Sequence, residues 1–256
     1  MTLHHGDALA WLPLVAAESV DLIVTDPPYE SLRKWEGIGT TARMGMGRKG
    51  SGADDAEKFF PTIRNDQLPD LMRELWRILK WNCHAYVMCD ADTLPYFCQI
   101  AGKGWPCEPC IHHDDGAFVP WSNMKPLVWD KMTAGMGYHY RCRYEFVVMF
   151  DKGKNRKLND LGIPDVIQFK RVDGKDRLVP TQKPLDLFKL LIAQSSSVGE
   201  VVCDPFLGAG TAAVASKELG RRFVGCELDA GHLAIAKRRL AAGLFDQTAS
   251  AETNNV

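Results

Sequence analysis

Two hydrophobic rhythms alternate along these 256 residues. Compact apolar, β-branched runs predict strands at Val20–Thr25, His84–Cys89, Lys125–Trp129, Tyr144–Phe150, Glu200–Asp204 and Arg222–Glu227. Apolar residues three and four apart predict helices over Leu68–Leu79, Leu185–Gln194, Thr211–Leu219 and Ala230–Ala241. Strands alternating with helices of this length make βαβ units, so the predicted class is α/β with a mostly parallel sheet. His4 and His5 read as ordinary residues of a further short strand ending at Asp7.

Two stretches break the rhythm. Ser31–Lys58 is glycine-rich and lacks apolar periodicity, and a loop of that length in a compact domain is functional or disordered. Up to Ala53 it carries Arg33, Lys34, Arg43, Arg48 and Lys49 against Glu36 alone. Asp151–Arg177 is polar with a short apolar centre and holds eight Lys/Arg against five Asp. After Phe245 the composition (DQTASAETNNV) predicts a disordered tail over 246–256.

Length and a hydrophobic share of 46% suffice for one large α/β core. The N-terminus (MTLHHGDALA) lacks a charged-then-apolar leader, and no apolar run reaches membrane-spanning length. A soluble, cytoplasmic protein with no membrane partner is therefore expected. Eight cysteines at irregular spacings in a chain this long argue against a stapled secreted scaffold. Cys89, Cys203 and Cys226 end strand-like runs, where a thiol acts as a small hydrophobe. A formal net charge of −1 gives no global sign of a polyanionic partner, which moves that question to the two locally basic stretches.

Residues 200–229 (EVVCDPFLGAGTAAVASKELGRRFVGCELD) read as strand, glycine turn, helix, strand and acid. Gly208 and Gly210 permit a turn that a β-carbon would block and let the backbone approach a ligand. Thr211 opens a helix whose first N–H groups are free, and Glu227 ends the next strand, where a carboxylate can accept from both hydroxyls of a ribose. The spacing Gly208, Gly210, Ala213, with an acid about twenty residues on, also satisfies a dinucleotide fingerprint. A tight turn with no ligand is the plain alternative. Asp204 discriminates among ligands: a carboxylate at the strand's end repels a pyrophosphate and attracts a sulfonium or an amino group. S-adenosylmethionine is the favoured ligand, and an NAD-dependent oxidoreductase is the rival.

The run D-P-F-x-G-x-G-T at 204–211, taken with D-P-P-Y at 26–29, resembles the amino-group DNA methyltransferases. The tetrad lies near the N-terminus and the glycines near the C-terminus, an order similar to the circularly permuted β subgroup. Further segments are similar in sequence order: GDALAWL (6–12), RELWRILKWNCHAYVMCD (73–90), KPLVWDK (125–131), YRCRYEFVVMF (140–150) and PTQKPLDLFKLLI (180–192). In the second of these, Trp81–Asn82 stands where Pro-Gly is common. The resemblance runs from about Gly6 to Leu240 and weakens in the glycine-rich loop, over Cys107–Ser122 and in the basic stretch. It implies a class I methyltransferase fold: a Rossmann-like, doubly wound, mostly parallel seven-stranded sheet with one antiparallel strand near its edge, circularly permuted. It implies a single domain over 1–245, with 31–58 a flexible DNA-contacting loop and 151–178 a candidate target-recognition segment. The implied cofactor contacts come from Asp7, Ala8 and Asp26, from Thr181 and Lys183, and from Asp204, Phe206, Gly208, Gly210, Thr211, Glu227 and Leu228.

The implied reaction is methylation of adenine N6 in double-stranded DNA, with Asp26, Pro27, Pro28 and Tyr29 as the catalytic group. An exocyclic amine is a poor nucleophile because its lone pair delocalises into the ring. Two acceptors on its N–H bonds draw the nitrogen toward tetrahedral geometry and free that pair; the Asp26 carboxylate and the Pro27 carbonyl supply them. Consecutive prolines fix φ and hold the preceding residue extended, so both acceptors are preorganised. Tyr29 stacks on the base, which is flipped out of the duplex at a cost of roughly a few kcal/mol. No covalent intermediate with the protein is needed, and alignment of the reactants supplies on the order of 7–11 kcal/mol of the barrier.

Several features have two readings. Asp7 accepts from the cofactor's adenine amino group, or simply caps a turn. Thr181 and Lys183 reach the cofactor carboxylate from a segment that also starts a helix at Pro184. Tyr138, His139 and Tyr140 sandwich the base or pack in the core. CEPCIHHDD at 107–115 crowds Cys110, His112 and His113 too closely for one tetrahedral site, so no metal is expected. Arg33, Lys34, Arg43, Arg48 and Lys49 are expected on phosphates, and Lys152, Lys154, Arg156, Lys170 and Arg171 at the target sequence, against the alternative of solvated loops. A reading segment of about 27 residues is short for a whole site, so a homodimer is expected, and a cognate restriction endonuclease is a candidate partner. Cytosine-N4 methylation shares the chemistry and is often marked by serine in place of Asp26. A catalytically silent DNA-binding module is the rival of another class.

Overall fold

Every residue of the strand Val20–Thr25 (β2) is buried, because it runs through the middle of a sheet covered on both faces. Its side chains alternate: Leu22 and Val24 face one helical layer and Ile23 the other. The computed structural model describes residues 1–35, 61–102, 120–135 and 139–249. The other strands are Thr2–His5 (β1), Leu79–Cys89 (β3), Asn123–Asp130 (β4), Tyr144–Lys152 (β5), Val166–Gln168 (β6), Val201–Asp204 (β7) and Arg222–Glu227 (β8). Their order across the sheet is β1-β8-β7-β2-β3-β5-β4-β6. Only β5 runs against its neighbours among the described strands.

The helices Ala8–Trp11 (α1), Leu68–Ile78 (α2) and Leu94–Ile100 (α3) pack on the Ile23 face. Leu185–Ser195 (α4), Thr211–Glu218 (α5) and Ala230–Ala249 (α6) cover the Leu22 face. Helix α2 shows why such layers form. Leu68, Leu71, Met72, Leu75 and Ile78 recur at three- and four-residue steps and are all buried, each burial contributing about 1.5–3 kcal/mol. Pro69 stands in the first turn, where its missing N–H costs nothing, and at Leu79 the backbone turns extended straight into β3.

Four departures from the sequence reading have physical causes. Among the described residues the sheet has eight strands rather than seven; the addition is the three-residue edge strand β6, too short to show a rhythm. Strand β3 begins at Leu79 rather than His84, because Lys80, Trp81 and Asn82 hide its first half. Asn82 takes φ of 59°, a left-handed conformation that asparagine tolerates, and so does the work of the glycine usual there. Helix α6 continues to Ala249 instead of giving way to a tail at 246, since no proline interrupts good helix formers; 250–256 lie outside the described residues.

The fourth departure concerns the basic stretch, which is not one unit. Because β5 is antiparallel, Lys152 leaves the sheet at the amino ends of the parallel strands. Because β6 is parallel to β4, Lys170 and Arg171 emerge at the carboxyl ends. Among the described residues no helix is long and apolar enough to cross a membrane.

Candidate active site

Strands β2 and β7 lie side by side in parallel, Leu22 against Val202 and Ile23 against Cys203. Their carboxyl ends therefore deliver Asp26 and Asp204 to one place. Thr25 Oγ1 donates to Asp204 Oδ1 at 2.7 Å in a buried contact, and the Phe206 N–H donates to the same oxygen at 3.0 Å. Burial raises the pKa of Asp204 to about 7 against those two hydrogen bonds, and the Asp26 and Glu227 charges add to the rise. This is the point where the winding of the sheet reverses, the usual seat of ligands in open α/β sheets.

The tetrad is pinned on its far side as well. Pro28 O accepts from the Ile63 N–H at 2.7 Å, and Tyr29 pairs with Ile63 as an isolated bridge. Tyr29 is buried, and burial pushes its phenol well up. Residues 26–29 form one wall of a cavity of ≈ 210 Å³, completed by Leu32, Trp129, Lys131, Glu145, Arg171, Arg177 and the segment Pro180–Lys183. Trp129 is fixed there by its indole N–H, which donates to Phe169 O at 2.8 Å.

Four charges within this wall are paired. Lys183 Nζ lies 2.8 Å from Asp26 Oδ2 and 3.0 Å from Glu145 Oε2, while Lys131 Nζ donates to Glu145 Oε1 at 3.2 Å. Burial holds the Asp26 carboxyl above its ordinary range, opposed by the Lys183 cation and reinforced by the Glu145 charge. Burial also acts on Glu145, but Lys183 and Lys131 outweigh it and hold that carboxyl low. Burial likewise disfavours the Lys183 cation, yet Asp26 and Glu145 together raise it above an ordinary lysine. Asp26 Oδ1 is buried and has no hydrogen-bond partner among the described residues. Lys183, expected at a cofactor carboxylate, bridges Asp26 and Glu145 from the segment just ahead of Pro184, which is extended at the start of α4. Thr181 is exposed at the rim of the same cavity.

The two glycines of the turn serve different ends. Gly210 has φ of 77° at the N-cap of α5, and a β-carbon there would lie 2.8 Å from Ala236 Cβ, so α5 and α6 need it to pack. Gly208 has φ of 53° with nothing among the described residues within 4 Å of an added β-carbon, which leaves open space before its backbone there. Its N–H donates to Glu227 Oε2 at 2.7 Å, and the Asp229 N–H donates to Oε1 at 2.9 Å. Each of these oxygens keeps a lone pair for a ligand. Thr211 is buried with Arg239 Nη1 3.4 Å from its hydroxyl. Asp7 caps α1 by accepting from the Ala10 N–H at 2.9 Å, and its side chain is otherwise exposed beside the buried Ala8. The Gly6 N–H donates to Glu227 O at 2.9 Å, which draws this corner against β8, where Leu228 is 46% exposed.

The DNA-contact expectations divide sharply. Lys152 is 1% exposed; its Nζ donates to Trp76 O at 2.9 Å and Leu79 O at 2.6 Å and sits over the Trp76 ring. It is a core residue, which corrects its assignment to DNA. Arg156 pairs with Glu200 at 2.5 Å and contacts Cys83 Sγ at 3.3 Å, beside the amino end of β7. Lys154 is exposed at that same end, its N–H bonded to Asn82 Oδ1, so these residues lie across the sheet from the cavity and are corrected likewise. Arg171 lines the cavity, and Lys170 is exposed next to it, paired with Asp173 at 3.1 Å. His139 and Tyr140 are exposed outside the cavity lining; Trp129 is the aromatic residue that joins Tyr29 there. The backbone of Arg33 and Lys34 belongs to a short 3-10 helix, Glu30–Trp35, leading from the tetrad. Arg43, Arg48, Lys49, Tyr138 and the CEPCIHHDD segment lie outside the described residues, among which no group of ligands for a metal ion occurs.

Sequence reasoning missed Glu145, Trp129, Lys131 and Arg177. The one available signal for Glu145 was an acid just ahead of the apolar run Phe146–Phe150 of β5.

Residues 163–238 match the family model described as DNA methylase. The chain is 32% identical to the type II methyltransferase M2.DpnII of Streptococcus pneumoniae, covering 94% of this chain and 90% of that protein. It is 27% identical to the DNA adenine methyltransferase YhdJ of Escherichia coli (strain K12), covering 93% and 82%. The crystal structure of an M1.HpyAVI-SAM complex shares the fold at a TM-score of 0.62 and 20% identity, covering 93% of this chain and 98% of that one.

Proposed function

This chain belongs to the amino-group DNA methyltransferases, and from that premise we propose that it methylates adenine N6 of a base flipped out of duplex DNA, with S-adenosylmethionine as cofactor. The observation that carries the reading is the 2.7 Å bond between Thr25 and Asp204, which ties the acceptor tetrad to the glycine turn. The turn fits such a cofactor: open space lies before Gly208, a buried carboxylate at Asp204 favours a cation, and the two Glu227 oxygens suit ribose hydroxyls. Asp7, Ala8, Phe206 and the exposed Leu228 would border the nucleoside. When bound, S-adenosylmethionine supplies an activated methyl group at this corner.

The rest of the work falls to the protein. Asp26 Oδ1 accepts one N–H of the target amine and the Pro27 carbonyl the other, freeing the nitrogen lone pair. Both acceptors are held by proline geometry and do not reorganise during transfer. Tyr29, Leu32 and Trp129 give the extruded base an apolar seat that offsets part of its unstacking. Arg171 and Arg177 at the cavity wall suit the phosphates of the flipped nucleotide. Aspartate rather than serine at position 26, with a relative named as an adenine methyltransferase, supports adenine over cytosine N4.

Asp26→Ala is expected to leave S-adenosylmethionine affinity nearly unchanged in calorimetry while transfer to DNA falls at least about 10²-fold. Retained turnover would refute the role of Asp26. Sequencing of plasmid DNA from cells expressing the protein identifies the base, and N4-methylcytosine there would overturn the adenine assignment. We also propose a homodimer through the outer edge of β6, which no described strand covers and where Leu161, Ile163 and Val166 are 79%, 38% and 48% exposed. A fully active monomer in sedimentation would exclude it.

A further inference from the structure

Nothing within the tetrad decides which oxygen of Asp26 meets the base. That decision comes from strand β5, which belongs to neither the tetrad nor the glycine turn. Because β5 is antiparallel, its first residues lie at the carboxyl ends of its neighbours, and Glu145 reaches the cavity from there. Four charges then alternate in a row: Lys131, Glu145, Lys183, Asp26. Their contacts are 3.2, 3.0 and 2.8 Å, and their side chains are only 13%, 20%, 10% and 16% exposed. Alternation is what lets so many charges sit so deep, since each is desolvated but paired. Two oxygens of the row are buried without a hydrogen bond among the described residues: Glu145 Oε2, which the Lys183 ammonium neutralises at 3.0 Å, and Asp26 Oδ1, whose partner oxygen Oδ2 takes the Lys183 contact.

We propose that Glu145 and Lys183 are positioning residues for methyl transfer: Glu145 anchors the Lys183 ammonium, which grips Asp26 Oδ2 and leaves Oδ1 turned to the target amine. This rests on the reading of Asp26 as acceptor given above. The grip acts in two ways. It stops the carboxylate from rotating between equivalent oxygens, a motion that would blur the acceptor's position. It also keeps Asp26 anionic in a place where burial favours the acid, whose protonated oxygen would donate instead of accept. The charged and titratable groups facing Asp26 are Lys183 ahead of α4, Glu145 on β5, Lys131 after β4, Asp204 on β7, Cys89 at the end of β3, Tyr29 in its own tetrad, and Arg171 and Arg177 across the cavity. Lys183 is the one cation in direct contact with it among the described residues.

The test is the pH profile of kcat for methyl transfer to duplex DNA, measured on the full chain for wild type, K183M, K183R and E145Q, beside calorimetric binding of S-adenosylmethionine. In K183M the acid limb is expected to move up by about one to three pH units, with kcat at neutral pH down about 10²-fold. Its cofactor affinity is expected to stay within about threefold of wild type, roughly the scatter of a surface-level change. K183R is expected to return the limb toward wild type. E145Q is expected to lower kcat yet move the limb the opposite way, because an anion near Asp26 is lost while the cation stays. A purely structural role would lower the folded fraction without moving either limb. Superimposable profiles overturn the proposal, as does a K183M variant that loses cofactor affinity with its limb unmoved, which assigns Lys183 to the cofactor. If K183M fails to fold, K183R and E145Q decide alone. A wild-type protein that transfers no methyl group to any DNA sinks the underlying reading itself, a result distinct from all of these.

Discussion

Thr25→Val removes one hydroxyl at the joint between the two halves of the site. The side chain keeps its shape, but Asp204 Oδ1 loses the 2.7 Å donor and retains only the Phe206 N–H. A hydrogen bond to a charged group contributes about 1.5–3 kcal/mol, and each pKa unit corresponds to about 1.4 kcal/mol, so the Asp204 value should climb by about one to two units. It starts from about 7, where burial has put it. A cationic cofactor binds the anionic form, whose fraction drops about tenfold per pH unit below the pKa. Wild-type affinity should therefore be flat above pH ~7 and fall about tenfold per unit beneath it. The variant should show the same curve displaced to pH ~8–9, about tenfold weaker than wild type near neutrality and equal to it at high pH. For the protein without cofactor the sign is opposite. A raised carboxyl takes up a proton on folding, so this group's contribution to stability is full in acid and lost as pH rises from the ordinary carboxylate range to about 7. Calorimetric titration with S-adenosylmethionine from pH 5.5 to 9.5, in buffers of different ionisation heat, reads both the midpoint and the released proton. A pH-independent affinity, or unmoved midpoints in the variant, would refute the assignment of Asp204 to the cofactor's cation.

The two glycines should separate stability from binding. Gly210→Ala forces a β-carbon to within 2.8 Å of Ala236 Cβ at a left-handed φ, costing about 2–4 kcal/mol and several degrees of Tm. Gly208→Ala meets no neighbour, so thermal melts should show a loss of only about 1 kcal/mol, while calorimetry shows the larger loss of cofactor affinity; equal melts would contradict this division. Lys152→Met should lower Tm, because the Trp76 and Leu79 carbonyls lose their donor, and should leave the salt dependence of DNA binding untouched. Arg171→Ala should do the reverse, reducing the slope of log K against log salt by about one at constant Tm; a changed slope for Lys152→Met would restore that residue to the DNA interface.

The chain announced its strands wherever a short apolar run was uninterrupted: β2 and β8 have the bounds that their residues suggest, and the glycine turn with its flanking acids stands where its spacing put it. Periodicity and turn chemistry are local, so a window of ten residues carries them. Direction and depth are not local. The same lysine-rich run reads as one basic segment until an antiparallel strand sends Lys152 into the core and a parallel one brings Arg171 to the cavity. In sequence Lys183 reads as a cofactor contact, and Glu145 carries no functional signal beyond its place near the head of a strand. They become partners of Asp26 only because three strands and a helix start converge from widely separated parts of the chain. Sequence alone thus established the longer strands and helices and the two motifs, through the periods of backbone geometry, but not the short elements β6, α1 and α3, which span too few residues to show a period. Tertiary structure decided which charges are buried together, because desolvation and pairing energies depend on distance in space and leave no periodic trace along the chain.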